Sequence, residues 1–169
     1  MELYLLRHGI AAAQNTGSYA TDADRPLTPE GESQMHQVAS GMKALGLSFD
    51  LIVSSPYLRA KQTAKIVAEI LGIPKTIQFS DHLLPGGSFQ RLTRDLSTRL
   101  RDYNQVALVG HEPHLSQLIS ILLTGGPELS IEIKKGGLCK LTVDKFEEDS
   151  PCATLNWLMT SDELGLMSR

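Results

Sequence analysis

A chain of 169 residues, 41% apolar and 21% charged, is long enough to bury a sizeable core, and its 14 Gly and 8 Pro exclude collagenous, low-complexity and disordered classes. Sixteen basic against 19 acidic residues leave a formal charge of −3, with no run of like charges, which disfavours general affinity for nucleic acid or an anionic membrane. Residues 1–8 carry no basic lead and no cleavage site, residues 115–123 are too short and interrupted to span a bilayer, and Cys139 and Cys152 read as packing residues, so a cytoplasmic protein is expected.

Taken in chain order, residues 2–7 are an apolar run ending at Gly9 and predict a buried strand, followed by a polar loop over about 10–27. Thr28-Pro29-Glu30 is a helix start, after which Met35, Val38, Ala39 and Met42 recur at helical spacing up to Gly46. Residues 50–54 predict a second strand. Ala60, Thr63, Ala64, Val67, Ile70 and Leu71 mark an amphipathic helix stopped by Gly72 and Pro74. A third strand is predicted over 76–80, a third helix by Phe89, Leu92, Leu96, Leu100 and Tyr103, and a fully buried strand over 105–110. Leu115, Leu118, Ile119 and Leu122 form a fourth helical stripe closed by Gly125-Gly126-Pro127.

Four successive strand-to-helix units predict an α/β fold, a three-layer α/β/α sandwich on a largely parallel sheet. Beyond Pro127 the pattern alternates over 131–133, 138–143 and 154–159, expected as edge strands, one or more of them antiparallel. No solenoid repeat or linker divides the chain. One domain over 1–169 is expected, with a loose tail from about 161.

The histidines and arginines fall at one edge of this sheet. Arg7 and His8 close the first strand, Arg59 opens the helix after the second, Asp81 and His82 follow the third and His111 follows the fourth. In an open parallel sheet the carboxyl ends of the strands form the binding crevice. A single histidine beside a strand is more often structural than catalytic, but four matching placements are not readily accidental, and clustered arginines without carboxylates nearby cost stability unless an anion is bound. The pattern predicts an anion pocket.

Arg7-His8-Gly9 directly after a strand, Ser54-Ser55-Pro56-Tyr57-Leu58-Arg59-Ala60 and Val109-Gly110-His111-Glu112-Pro113 together resemble the histidine phosphatase superfamily, the phosphoglycerate-mutase-like group. The spacing from Asp22 to Arg25-Pro26-Leu27-Thr28-Pro29-Glu30-Gly31, the compact length and the closing Asn156-Trp157-Leu158-Met159 look like its SixA-type phosphohistidine phosphatases. The resemblance implies that His8 is a nucleophile forming a phosphohistidine intermediate, and that Arg7, Arg59 and His111 bind the phosphoryl oxygens, with Arg25 near the pocket. It also implies a phosphohistidine-bearing phosphorelay carrier as partner and no cofactor.

Larger members of that superfamily place a glutamate after the third strand to protonate an alkoxide. Here the segment reads Ser80-Asp81-His82-Leu83-Leu84-Pro85-Gly86-Gly87, leaving Asp81 and His82 as the candidate proton donors. An imidazole leaving group needs less help, since a phosphoramidate can be protonated on nitrogen first, so the departure favours phosphohistidine over sugar phosphates. The lack of a long insertion predicts a shallow, uncovered site that admits a phosphorylated side chain.

Competing readings are a phosphomonoesterase acting on small metabolites, a phosphomutase, a phosphoprotein-binding module, in which a nucleophilic His8 has no use, and a metal hydrolase built on His8, Asp81, His82, His111 and His114. Two arginines repel a divalent cation, and His111 and His114 lack the i, i+4 spacing of a helical zinc motif. Neither cysteine has an arginine six positions on, and no G-x-x-x-x-G-K-[ST] or G-x-S-x-G sequence occurs. The Asp22-x-Asp24 pair lies in a loop rather than at a strand end and carries little weight; His36 lies off the apolar stripe of its helix and reads as solvated, and His114 is given no role.

Overall fold

The structure is a computed structural model that describes residues 1–14, 19–73, 77–98, 102–144 and 151–168. Its elements run β1 (Glu2–Arg7), α1 (Pro29–Ala44), β2 (Leu51–Ser54), α2 (Leu58–Leu71), β3 (Ile77–Phe79), α3 (Phe89–Thr98), β4 (Gln105–Gly110), α4 (His114–Thr124), β5 (Leu138–Val143), β6 (Ala153–Met159) and α5 (Ser161–Met167). The expected third strand and third helix are present; Thr76 and Leu100, with the helix stop at Pro74, lie outside the described residues.

One six-stranded sheet in the order β3-β2-β4-β1-β5-β6 organises the chain. β3, β2, β4 and β1 are parallel, while β5 runs antiparallel to β1 and β6 antiparallel to β5. Alternation along β1 explains the three layers: Leu3 and Leu5 enter a core with Leu92 and Leu96 of α3 and Leu115, Leu118, Ile119 and Leu122 of α4. Tyr4 and Leu6 enter the opposite core with Met35, Val38 and Met42 of α1, Ala60, Ala64 and Val67 of α2, and Leu164 of α5. Each such fully buried Leu or Met contributes roughly 1.5–3 kcal/mol of transfer free energy. Local signals agree with this packing: the Thr28 hydroxyl caps α1 by accepting from Gly31 N–H at 3.0 Å, and Gly72 and Gly125 end α2 and α4 in left-handed conformations.

Two expectations are corrected. Residues 131–133 are not a strand: Ile133 is buried in the core beside α4, and its carbonyl accepts from the Arg7 guanidinium at 2.7 Å rather than from a neighbouring strand. The loose tail is α5. Thr160 caps it, with Glu163 closing a capping box, and Leu164 is fully buried where the helix backbone meets α1 at Gly41.

This topology positions the crevice. The chain leaves β1 toward α1 on one face and leaves the adjacent β4 toward α4 on the other, so the carboxyl ends of β1 and β4 part at a switch point. Arg7 lies opposite Gly110 in the β1–β4 register, which places His8 and His111 at that point.

Candidate active site

His8 is fixed from both sides. Its backbone N–H donates to the Gly110 carbonyl at 3.1 Å, and Gly136 N–H donates to the carbonyls of Arg7 and His8. Gly9 is explained by packing rather than by approach to a ligand: a Cβ there would press on Met35 of α1, while Gly9 N–H donates to Thr63 Oγ1 of α2 at 3.2 Å. The imidazole, 7% exposed, has Nδ1 2.7 Å from the Gly9 carbonyl oxygen, which can only accept, so Nδ1 carries the proton. Nε2 then holds the free lone pair, and it accepts from Arg59 Nε–H at 3.2 Å. Burial above all holds His8 neutral, its pKa down at about 3, opposed by the Gly9 contact and reinforced by the charges of Arg59, Arg7 and Lys135.

His111, 2% exposed, lies with its ring centroid 5.0 Å from that of His8. Its Nε2 is 2.8 Å from Ser55 Oγ, and that hydroxyl oxygen accepts from Tyr57 N–H at 3.3 Å. That contact leaves the other ring nitrogen, Nδ1, buried with no hydrogen-bond partner among the described residues. Burial, then the neighbouring His8 and Arg59, hold its pKa down at about 3. Arg7 Nε is a second buried donor in the same condition, Arg7 Nη1 being bound to the Ile133 carbonyl.

Arg59, on the first turn of α2 and 4% exposed, stacks on the Tyr57 ring at 4.9 Å and spends Nη1 on the Asp22 carbonyl at 2.7 Å and Nη2 on Asp22 Oδ2 at 3.0 Å. The other Asp22 oxygen accepts from Arg25 Nη1, while Arg25 Nε donates to the Ala12 carbonyl at 2.7 Å. Partial burial pushes the Asp22 carboxyl pKa up, but hydrogen bonds from Arg25 and Arg59 outweigh it and hold the group below the usual range. This corrects the expectation of an arginine cluster without a carboxylate: Arg25 and Arg59 share one. The Asp-x-Asp pair divides its work, Asp24 accepting from Thr21 in a capped 3-10 turn while Asp22 grips the arginines.

Arg7, His8, Arg25, Arg59 and His111 are thus linked around one crevice. Asp81 and His82 stand apart on a 3-10 turn after β3, Asp81 exposed and His82 half-buried, lining a cavity of about 230 Å³ with Ser80 and Leu92. His114 ties α4 to this turn, its Nε2–H donating to the His82 carbonyl at 2.8 Å while its ring stacks on Phe89. Among the described residues no group of three His, Cys, Asp or Glu side chains comes together that could hold a metal. His36 is exposed, and Cys139 is buried in the core, where burial pushes its thiol up to about 12. Ser55, Thr63 and Asp22 are the site residues that the sequence reading missed. Only Asp22 had a usable signal, its fixed offset of three from Arg25 in a loop otherwise free of pattern.

No helix among the described residues is long and apolar enough to cross a membrane. The histidine phosphatase superfamily (branch 1) matches residues 3–83. An uncharacterized protein of Picosynechococcus is 39% identical over 83% of this chain and 84% of its own length. The phosphohistidine phosphatase SixA of Escherichia coli is 27% identical over 95% of this chain and 94% of its own. The solved structure of the protein histidine phosphatase SixA complexed with tungstate superposes with a TM-score of 0.84 at 26% identity, covering 97% of this chain and 99% of that one. The sheet order, the paired histidines at its switch point and these likenesses agree, and the chain belongs to the histidine phosphatase superfamily, SixA-like in sequence and in fold.

Proposed function

We propose that this phosphatase hydrolyses phosphohistidine on a partner protein, a phosphorelay carrier, through a phosphohistidine formed on its own His8. The observation that carries this reading is the tautomer of His8: the Gly9 carbonyl takes the Nδ1 proton, and the Nε2 lone pair points at Arg59 in the crevice. An incoming phosphoryl group draws the Arg59 N–H donors onto its oxygens, which releases Nε2 for in-line attack. Arg7 Nε and His111 Nδ1, both buried without hydrogen-bond partners among the described residues, donate to the other equatorial oxygens in this reading, the His111 proton lying on Nδ1, and Arg25 adds charge at the rim.

In the first half-reaction the Nε2 lone pair bonds to phosphorus as the substrate's P–N bond breaks and the departing imidazole takes a proton. Asp81 and His82, on the turn after β3 at the same carboxyl edge of the sheet, are the proposed donors. In the second, water attacks phosphorus, the P–Nε2 bond breaks, and neutral His8 and phosphate are regenerated. Arginine suits this work because its planar fork binds two oxygens and keeps its charge when buried.

The likeness to SixA supports phosphohistidine as substrate, and the absence of a glutamate after β3 agrees, since a sugar alkoxide would need a stronger proton donor. The reading is tested by phosphate release from a phosphohistidine-bearing carrier protein, beside an aryl phosphate and a sugar phosphate, for wild type and His8→Ala with chelator present. Release from the carrier, little from the sugar phosphate and loss in His8→Ala are expected. Release that persists in His8→Ala or vanishes with chelator would overturn the mechanism, and preference for the sugar phosphate would make the chain a metabolite phosphatase.

A further inference from the structure

The Asp22 carboxylate bridges two guanidiniums with one oxygen each, Oδ2 on Arg59 Nη2 and Oδ1 on Arg25 Nη1, while its own carbonyl holds Arg59 Nη1. That is how an oxyanion bridges an arginine pair, and here the anion belongs to the chain itself. We infer that Asp22 is an internal competitor for the phosphoryl site, a carboxylate that occupies the Arg25–Arg59 pair in the resting enzyme and weakens its hold on inorganic phosphate. The inference rests on the reading of Arg59 and Arg25 as phosphoryl-binding groups.

The geometry favours competition over mere support of Arg59. Arg59 already has three anchors besides the Asp22 side chain: its Nε on His8, its Nη1 on a backbone carbonyl and the Tyr57 ring beneath it. Arg25 is likewise anchored by Nε on the Ala12 carbonyl. The carboxylate is therefore not needed to place either guanidinium. Its side chain retains 32% of its exposure, against 5% for Arg59 and 16% for Arg25, so it is the member of the trio with room to leave.

The two ends of the loop that carries it are pinned independently of the two arginines' terminal nitrogens. Ala12 N–H donates to the Pro26 carbonyl at 2.9 Å, Ala11 bridges to Leu27, and Leu27 N–H donates to Gln62 Oε1 of α2 at 2.7 Å. The exchange needs only a side-chain rotation at Asp22. A bound phosphoryl group, doubly charged and with more oxygens, wins the arginines from a single carboxylate. Product phosphate then faces a competitor already tethered beside it, which speeds release. The consequence is a phosphatase that resists inhibition by its own product.

The test is titration of wild type and Asp22→Asn with inorganic phosphate by calorimetry at fixed ionic strength, together with phosphate inhibition of turnover. Removing one charge from the rim is expected to tighten phosphate binding about tenfold and to lower the inhibition constant equally. Asp22→Ser is the second variant should thermal melting show Asp22→Asn to be misfolded, and the same tightening is expected there. Unchanged or weaker phosphate binding while wild type still turns over the phosphohistidine carrier overturns this inference alone and makes Asp22 a positioning residue for Arg59. Absence of both phosphate binding and turnover in wild type overturns the phosphoryl-site reading, and this inference with it.

Discussion

The two ends of the sheet's carboxyl edge are built by opposite rules. At the β1–β4 end, His8, Arg59 and His111 are nearly inaccessible and each is held by backbone or side-chain partners, so their directions are set before any ligand arrives. At the β3 end, Asp81 and His82 sit on a short turn beside a cavity, less buried, and neither side chain has a hydrogen-bond partner among the described residues. The difference separates two tasks: phosphoryl chemistry needs preorganised donors, which burial makes strong, whereas the group that leaves varies with substrate and must be reached from outside.

The comparison predicts unequal sensitivity. His8→Ala is expected to reduce carrier dephosphorylation at least about a thousandfold, because it removes the lone pair that faces Arg59 in the crevice. Arg59→Ala should cost about a hundredfold or more in kcat/KM, and Arg59→Lys should recover little, since an ammonium lacks the planar fork that can hold two phosphoryl oxygens while staying on the Asp22 carbonyl. Steady-state kinetics on one carrier substrate check both.

Ser55→Ala lies in the middle of the range. Without its hydroxyl, His111 loses the contact that orients its ring, and about a tenfold fall in kcat is expected with little change in thermal stability. Asp81→Asn and His82→Gln are the smallest, each under about fivefold on phosphohistidine and larger on an alkyl phosphate, whose leaving group needs the proton more. Equal losses at both ends of this edge would break the comparison.

A pH series sharpens it. His8 and His111 have folded pKa values near 3 against an ordinary 6.5, so the unfolded chain binds more protons between those limits. Stability is full above 6.5, begins to fall as pH drops through it and goes on falling toward 3, by up to about 1.4 kcal/mol per pH unit for each histidine. Thermal melts from pH 7 to 4 should show this slope, and His111→Gln should make it shallower. Over the same range His8 remains neutral in the folded enzyme, so turnover of an acid-stable aryl phosphate should show no downturn at 6.5 from His8.

Much of this was legible in the sequence. The inner parallel strands β1, β2 and β4 are short apolar runs buried on both faces, whereas the edge strand β3 is largely exposed, and Thr28-Pro29 and Gly72 mark helix ends through strong local chemistry. The edge was less legible. Ile131-Glu132-Ile133 alternates like a strand, yet its backbone serves the Arg7 side chain, a tertiary demand that no local pattern carries. The tail carried a readable signal in Thr160 and Glu163, a capping box that outweighs the polar look of residues 161–169. In the site, residues attached to strand ends were found from topology alone. Asp22 and Ser55 were missed because their roles arise only when the loop and the α2 turn meet Arg59 and His111 in space.

The central claim is that the lone pair of His8 Nε2 performs the attack. It is tested by quenching the enzyme in alkali during turnover of a phosphohistidine carrier, mapping the phosphorylated peptide and identifying the isomer by phosphorus NMR. Phosphate on Nε2 of His8, absent from His8→Ala, is the predicted result; phosphate on Nδ1, on another residue, or on no residue while turnover proceeds would contradict it.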